Sequence, residues 1–278
     1  MNSPRIISAI IGQTFKESIR AKWLIMFTIV YFLVTINVPF LVLIIERLLP
    51  PTTLNSYLVY LGTTSYPFLP LLSLPLGALS IVEEKESGTL QYLLSNPMSR
   101  MQFLAGRFIG LTISTSMVLV AGYAIAALVA FNVKTSVLTG LAFIVALSLG
   151  LNIIMLAVAI IISTMSKRKV TALSIAIFLW FLLVLISDFG GSFGVIVSIA
   201  NGTKIALLSA LLNPIEAAGL ISEIHLNAYG SELAMTGEII QNAFGIANGL
   251  YIMSLSLVLW GVLAVGLMIL LFKYLDLV

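Results

Sequence analysis

The sequence predicts an all-α integral membrane protein with six transmembrane helices. Of its 278 residues, 60% are hydrophobic and only 9% are charged, whereas a soluble domain carries about 25% charged residues. The apolar residues form continuous runs long enough to cross a bilayer as helices, and these runs do not alternate as barrel strands do. The six predicted spans are Trp23–Ile45, Leu58–Val82, Phe108–Phe131, Val137–Ser163, Val170–Ser187 and Gly249–Phe272.

The distribution of charge predicts the orientation of one transmembrane domain covering residues 1–278. With six spans, both termini lie on the same side of the membrane. That side receives 11 of the 14 Lys and Arg residues and a net charge of +6, and the other side has a net charge of −3. Basic residues favour cytoplasmic loops. We therefore expect a multi-pass protein of the cell membrane with both termini in the cytoplasm.

Residues 1–22 are predicted to form an amphipathic helix in the cytoplasmic membrane interface. Ser3 can cap this helix and Pro4 suits its first turn. Apolar residues at helical spacing then form one face, and basic residues can reach lipid headgroups. An ordinary soluble amphipathic helix is the alternative, which the directly following span disfavours.

Three features of the spans predict how they pack. Pro67, Pro70 and Pro75 indicate that the second span bends and lies inside the bundle. Asn37 and Asn152 are expected to hydrogen-bond between helices. The pattern Gly106-x-x-x-Gly110 indicates a close helix–helix contact.

The loop of residues 83–107 interrupts the apolar sequence with a cluster of charges. Ser87-Gly88 marks the start of a short amphipathic helix with leucines on one face, and Pro97 ends it. Ser99 and Gln102 form a capping box for the next span. The acidic residues Glu83, Glu84 and Glu86 exceed what a helix dipole needs. Either a solvated linker or a docking surface for basic residues of a partner accounts for them.

Residues 188–248 are predicted to form an extracytoplasmic loop. Two apolar pieces, Phe193–Ala200 and Ile205–Leu212, are too short to span and are separated by Asn201–Lys204. We expect short surface or re-entrant helices there. A helix follows, with Asn213 as its cap, Pro214 in its first turn and Glu216 reaching back to the cap.

Enzymatic chemistry is not indicated. The sequence has no cysteine and one histidine, His225, which is expected to be structural or solvated. No phosphate-binding loop of the G-x-x-x-x-G-K-[ST] type occurs. Hence we expect no catalytic residue, no metal site and no cofactor on this chain.

The stretch "EEKESGTLQYLLSNPMSRMQFLAGRFIG" resembles the cytoplasmic loop of type-two ATP-binding-cassette (ABC) exporter permeases. That loop has an acidic E-x-E followed by G-T-L, then L-L-S-x-P-x-S-R, and a G-[KR]-F turn into the third span. "TFKESIRAKWL" is similar to the family's N-terminal interfacial helix. "LLNPIEA" is similar to the outer N-P-x-[DE] element of the subgroup containing the permease of the nitrous-oxide-reductase maturation transporter. The matching loop residues are Glu84, Glu86, Gly88, Thr89, Leu90, Leu94, Ser95, Pro97, Ser99, Arg100, Gly106 and Arg107.

This resemblance implies two permease chains, with a homodimer expected, above two copies of a cytoplasmic ATPase that holds ATP and Mg. The short loop helix is then a coupling helix seated in the ATPase. The residues implied to dock there are Glu83, Glu84, Glu86, Gly88, Thr89, Leu90, Leu93, Leu94, Pro97 and Arg100. Lys167, Arg168 and Lys169 supply a second ATPase contact or bind lipid headgroups.

Three functions remain open at this stage. The first is the membrane subunit of an ABC exporter, without ATPase activity of its own. The second is an ATP-driven transducer that acts mechanically on an extracytoplasmic partner through residues 188–248. The third is a membrane scaffold that uses no ATP. Membrane lipids are expected partners in each case, and nucleic acids are not.

Overall fold

The computed structural model describes residues 3–45, 54–90, 98–130, 135–196, 199–226 and 242–274. All regular structure in these ranges is helical, as the sequence predicts. The longer helices are α1 (Ser3–Arg20), α2 (Lys22–Ile45), α3 (Leu54–Ser65), α4 (Leu69–Glu86), α5 (Arg100–Ala130), α6 (Thr135–Met165), α7 (Lys169–Ile196), α8 (Ile199–Leu212), α9 (Pro214–Leu226) and α10 (Ile246–Tyr274). A 3₁₀ turn, Tyr66–Phe68, joins α3 to α4.

The helix lengths fit a multi-pass membrane protein. Five continuous helical segments are long and apolar enough to cross a bilayer: Tyr57–Glu86, Arg100–Val129, Leu138–Met165, Lys169–Ser187 and Ile246–Tyr274. A sixth is present if Arg5–Arg20 and Lys22–Val38, which are bent by 65°, count as one span. The described residues thus hold five or six spans, which confirms the predicted class.

Helix α1 lies against α5 and is held there by two glycines. A Cβ atom on Gly106 would lie 2.5 Å from Cγ2 of Ile10, and one on Gly110 would lie 2.7 Å from Cβ of Thr14. Any larger residue would separate the two helices, because such distances are well inside van der Waals contact. The glycine pattern therefore marks the place where α1 packs on α5.

The second span is mostly buried, as its prolines predict, and a 3₁₀ turn interrupts its α-helix at Tyr66–Phe68. The indole Nε1 of Trp180 donates a hydrogen bond of 2.8 Å to the carbonyl of Pro67 in the 3₁₀ turn. Further along, Oγ of Ser163 accepts hydrogen bonds from the amides of Ile81 and Val82 at 3.0 and 2.9 Å. Neighbouring helices thus satisfy backbone groups along this irregular helix.

Asn152 joins three helices in the centre of the bundle. Its Oδ1 accepts a hydrogen bond of 2.6 Å from Ser73 of α4, and its Nδ2 donates one of 2.9 Å to Thr115 of α5. The predicted interhelical role of Asn152 is confirmed. Asn37 differs, because its Nδ2 donates to the carbonyl of Leu33 within its own helix.

The chain beyond the fifth predicted span is more helical and more buried than the sequence indicates. Helix α7 continues to Ile196, and α8 runs through Asn201–Lys204, where a break was expected. That expectation was wrong, and α8 packs along α7. Helix α9, which follows, is buried along nearly its whole length between α3, α8 and α10.

Candidate functional site

The end of the bundle where α1, the loop after α4 and the turn before α7 meet holds most of the predicted site residues. We call it the basic end. Helix α4 ends at Glu86, and Gly88, two residues later, has a φ of +74° in the left-handed region that favours glycine. A helical turn restarts at Thr89 and Leu90, of which Thr89 is exposed and Leu90 is buried. Leu93, Leu94 and Pro97 lie outside the described residues.

The start of α5 has the capping box that the sequence predicts. The amide of Ser99 donates to Oε1 of Gln102 at 2.9 Å, and the amide of Gln102 donates to Oγ of Ser99 at 3.2 Å. This reciprocal pair fixes where the loop enters α5. Arg100, which follows Ser99 and is the first residue of α5, has an exposed side chain.

Arg107 joins the end of α4 to α1. Its guanidinium forms an ion pair with Glu84 and a second one, of 2.5 Å, with Glu17. The side chains of Arg107 and Glu84 are only 9% and 13% exposed, whereas Glu17 is 49% exposed. Burial reduces screening of such pairs and makes loss of one partner costly. Three helices are therefore joined through one buried cation.

The other charges of the cluster join α4 to the turn between α6 and α7. Oε2 of Glu86 accepts a hydrogen bond of 2.7 Å from the backbone amide of Lys169, the first residue of α7. Glu86 thereby caps the first turn of α7. Oε1 of Glu83 lies 3.7 Å from Nζ of Lys169. Nζ of Lys85 donates to the carbonyl of Thr164, near the end of α6, at 2.8 Å. The charged run thus fastens the end of α4 on two sides.

These contacts change the interpretation of the acidic cluster. Each of Glu83, Glu84 and Glu86 has a basic residue or a helix N-terminus of this chain as partner, and Glu84 is mostly buried. The cluster therefore has a structural role that the sequence did not indicate. Contact of these residues with an ATPase stays a prediction. Within the basic trio, Lys167 and Arg168 are exposed beside this cluster.

At the opposite end of the bundle, Asn213 connects three helices. Its Oδ1 accepts a hydrogen bond of 3.0 Å from the amide of Ile215, and its Nδ2 donates one of 2.7 Å to the carbonyl of Leu183 in α7. Pro214 opens α9. Glu216 does not serve this cap, because its Oε1 accepts a hydrogen bond of 2.9 Å from Ser209 of α8. Burial raises the pKa of Glu216 to about 7.

No metal site is evident in the part of the chain that the structure describes. No group of three or more His, Cys, Asp or Glu residues there is close enough to hold a metal ion. The ring of His225 stacks on Phe143 with 4.0 Å between ring centroids.

Comparison with known proteins identifies what the chain is similar to. The family described as "ABC-2 family transporter protein" matches residues 8–277. A protein of Pseudomonas aeruginosa named "Probable ABC transporter permease protein NosY" is 26% identical over 269 residues, which are 94% of this chain and 96% of that protein. A protein of the same name from Stutzerimonas stutzeri is 28% identical over 177 residues, 62% of this chain and 64% of that protein.

Proposed function

Because the chain belongs to the ABC-2 family of transporter proteins, we propose that it couples ATP hydrolysis on a separate ATPase to export of a substrate. The chain itself is a multi-pass membrane subunit of an ABC transporter. In the proposal, two copies of it pair and two ATPase subunits bind at the basic end. The basic end faces the cytoplasm, in accord with the excess of basic residues there.

The observation that carries this proposal is the connection through Arg107. The loop that follows α4 is where the family resemblance places the ATPase contact. Force applied to this loop reaches Glu84 at the end of α4, then Arg107 on α5, and then Glu17 on α1. Since α1 continues into α2 through a 65° bend, a displacement of the loop can reorient the first span. Chains of ion pairs and packed helices can carry such a displacement from one helix to the next.

The second route of transmission runs from α4 to α6 and α7. Glu86 caps α7, and Lys85 binds the end of α6. Asn152 ties α4, α5 and α6 together deeper in the bundle. The loop movement is therefore shared by several helices rather than by one.

The variant Glu17→Gln tests the Arg107 route. It removes one ion pair, yet Arg107 keeps Glu84, so no buried charge is left alone. The chain has no cysteine, which allows spin labels at Arg5→Cys and Arg168→Cys, both exposed. We expect ATP to change the distance between the labels in the complex with its ATPase, and Glu17→Gln to reduce this change.

Lys16→Gln is the matched control, because Lys16 is an exposed neighbour of Glu17. It should keep the full ATP-dependent change. An unaltered change in Glu17→Gln would contradict transmission through Arg107, and failure of any ATPase to bind would contradict the proposal as a whole.

A mechanical transducer is the second candidate function. Several polar groups inside the bundle bind one another, as Asn152 does with Ser73 and Thr115, and as Tyr123 does with Ser148 at 2.7 Å. Such mutual hydrogen bonds favour an apolar cargo or force transmission over a polar substrate path. Detection of a partner on the side opposite the ATPase, together with ATP turnover without net transport, would support the transducer.

A further inference from the structure

A cavity of about 880 Å³ lies at the bend between α1 and α2. It is lined by both of these helices, by α4, by α5 and by the first residue of α7. Trp23, Leu76 and Leu79 supply apolar lining, and Arg20 and Lys22 supply basic lining. The cavity thus combines an apolar surface with cations at the end of the membrane-spanning bundle.

The charges that line the cavity are unequally satisfied. Four basic and three acidic residues line it, which gives a net charge of +1. Arg107 and Lys169 pair with the three acids, Glu17, Glu84 and Glu83. Arg20 and Lys22, by contrast, have no ion-pair partner among the residues that the structure describes.

Arg107 lies in the wall of the cavity and is already neutralised by two acids. Its side chain is 91% buried, and its Nε is buried without a hydrogen-bond partner within the described ranges. A buried N–H without a partner is costly. Oε2 of Glu84, which pairs with Arg107, is likewise buried without a partner, so the cations left to meet a ligand in the cavity are Arg20 and Lys22.

We propose that this cavity binds the headgroup of an anionic phospholipid. A phosphodiester carries one negative charge, which balances the net charge of +1 of the cavity lining. Its oxygens only accept hydrogen bonds, and the side chains of Arg20 and Lys22 only donate them. The acyl chains of the lipid contact Trp23, Leu76 and Leu79, and a soluble phosphate has nothing to place there. Basic residues at the membrane surface attract anionic lipids in the same way.

Binding at this position has a structural consequence. The lipid contacts α1, α2 and α4 at once, and it thereby fixes the 65° bend at which α1 turns into the first span. An anionic lipid therefore stabilises one position of α1 relative to the bundle.

Lipid retention by the purified chain tests the proposal. The protein is stripped of lipid in mild detergent, titrated with phosphatidylglycerol or phosphatidylcholine, and analysed by native mass spectrometry. We expect selective retention of phosphatidylglycerol. The double variant Arg20→Gln/Lys22→Gln should bind it about thirty-fold more weakly, since each basic residue near an anionic lipid contributes a factor of about five.

Arg5→Gln/Arg168→Gln is the matched control, because both residues are exposed and neither lines the cavity. It should change the affinity less than two-fold. Leu79→Gln tests the apolar wall without altering charge and should also weaken binding. Equal retention of both lipids, equal loss in the two double variants, or displacement by glycerol phosphate at the same concentration as the lipid would overturn the proposal.

Discussion

The substitution Gly106→Ala tests whether α1 rests directly on α5. The added Cβ would lie 2.5 Å from Cγ2 and 2.6 Å from Cβ of Ile10, about 1 Å inside the 3.5–4.0 Å at which carbon atoms pack. Because Cβ of Ile10 moves only with its backbone, α1 has to shift away from α5 by about 1 Å. Overpacking of this kind costs about 1–3 kcal/mol.

The thermal midpoint of the detergent-solubilised protein measures this cost. A loss of 1 kcal/mol lowers Tm by about 2–4 °C in a chain of roughly this size, so we expect a decrease of about 2–12 °C. The controls are Gly12→Ala and Gly150→Ala, where an added Cβ meets nothing within 4 Å.

Both control substitutions should leave Tm unchanged or slightly higher, because alanine is the better helix former by about 0.5–1 kcal/mol. If Gly106→Ala were as stable as Gly12→Ala, the close contact between α1 and α5 would be refuted.

Three further substitutions test other parts of the structure. Arg107→Met should cost about 3–5 kcal/mol, because it leaves a buried carboxylate unpaired, whereas Arg168→Met on the exposed turn should be nearly neutral. Asn152→Leu should cost about 1 kcal/mol for two interhelical hydrogen bonds, and Asn37→Leu should cost almost nothing. Burial raises the pKa of Glu216 from 4.5 to about 7, so the wild type loses stability relative to Glu216→Gln as pH rises from 5 to 8. Thermal unfolding of each variant, at several pH values for Glu216→Gln, provides the measurement.

The outcomes that contradict these predictions are specific. Equal stability of Arg107→Met and Arg168→Met would mean that the Arg107 ion pairs contribute nothing. Equal stability of the two asparagine variants would remove the polar tie between α4, α5 and α6. A difference between wild type and Glu216→Gln that is constant with pH would show that Glu216 titrates as an exposed carboxyl does.

The sequence predicts the class of this protein well, because long apolar runs report directly on the membrane. It also predicts local features whose partners are near in sequence. The capping box of Ser99 and Gln102 is an example, since both of its hydrogen bonds join residues three apart. The 3₁₀ interruption of the second span at Tyr66–Phe68 likewise lies beside Pro67 and Pro70.

Contacts between distant residues were beyond sequence reasoning. Glu84 on α4 pairs with Arg107 on α5, and Glu17 on α1 is 90 residues from Arg107. An acidic run looks identical whether its partners are in the same chain or in another protein. The glycine pattern Gly106-x-x-x-Gly110 gave the one available signal for the position of α1.

Helix α9 shows a second limit of the sequence. The sequence predicts its cap and first turn but not that it is buried along most of its length. The sequence does not reveal that Ser209 of α8 donates a hydrogen bond to Glu216, or that Asn213 reaches the carbonyl of Leu183. Those hydrogen bonds offset part of the free-energy cost of burying the polar side chains of Asn213 and Glu216.

The most direct test of the central claim is a site-specific crosslink from the loop after α4. Thr89 is exposed, and its hydroxyl contacts only Ser87 and the carbonyl of Glu84 among the described residues. The absence of cysteine from this chain makes Thr89→Cys its single attachment point for a photocrosslinker. Lys204→Cys, exposed on α8, is the control. The proposed function predicts that the crosslink from residue 89, and not that from residue 204, captures an ATPase with a phosphate-binding loop. Capture of no ATPase at residue 89, in membranes where other transporter complexes stay intact, would contradict it.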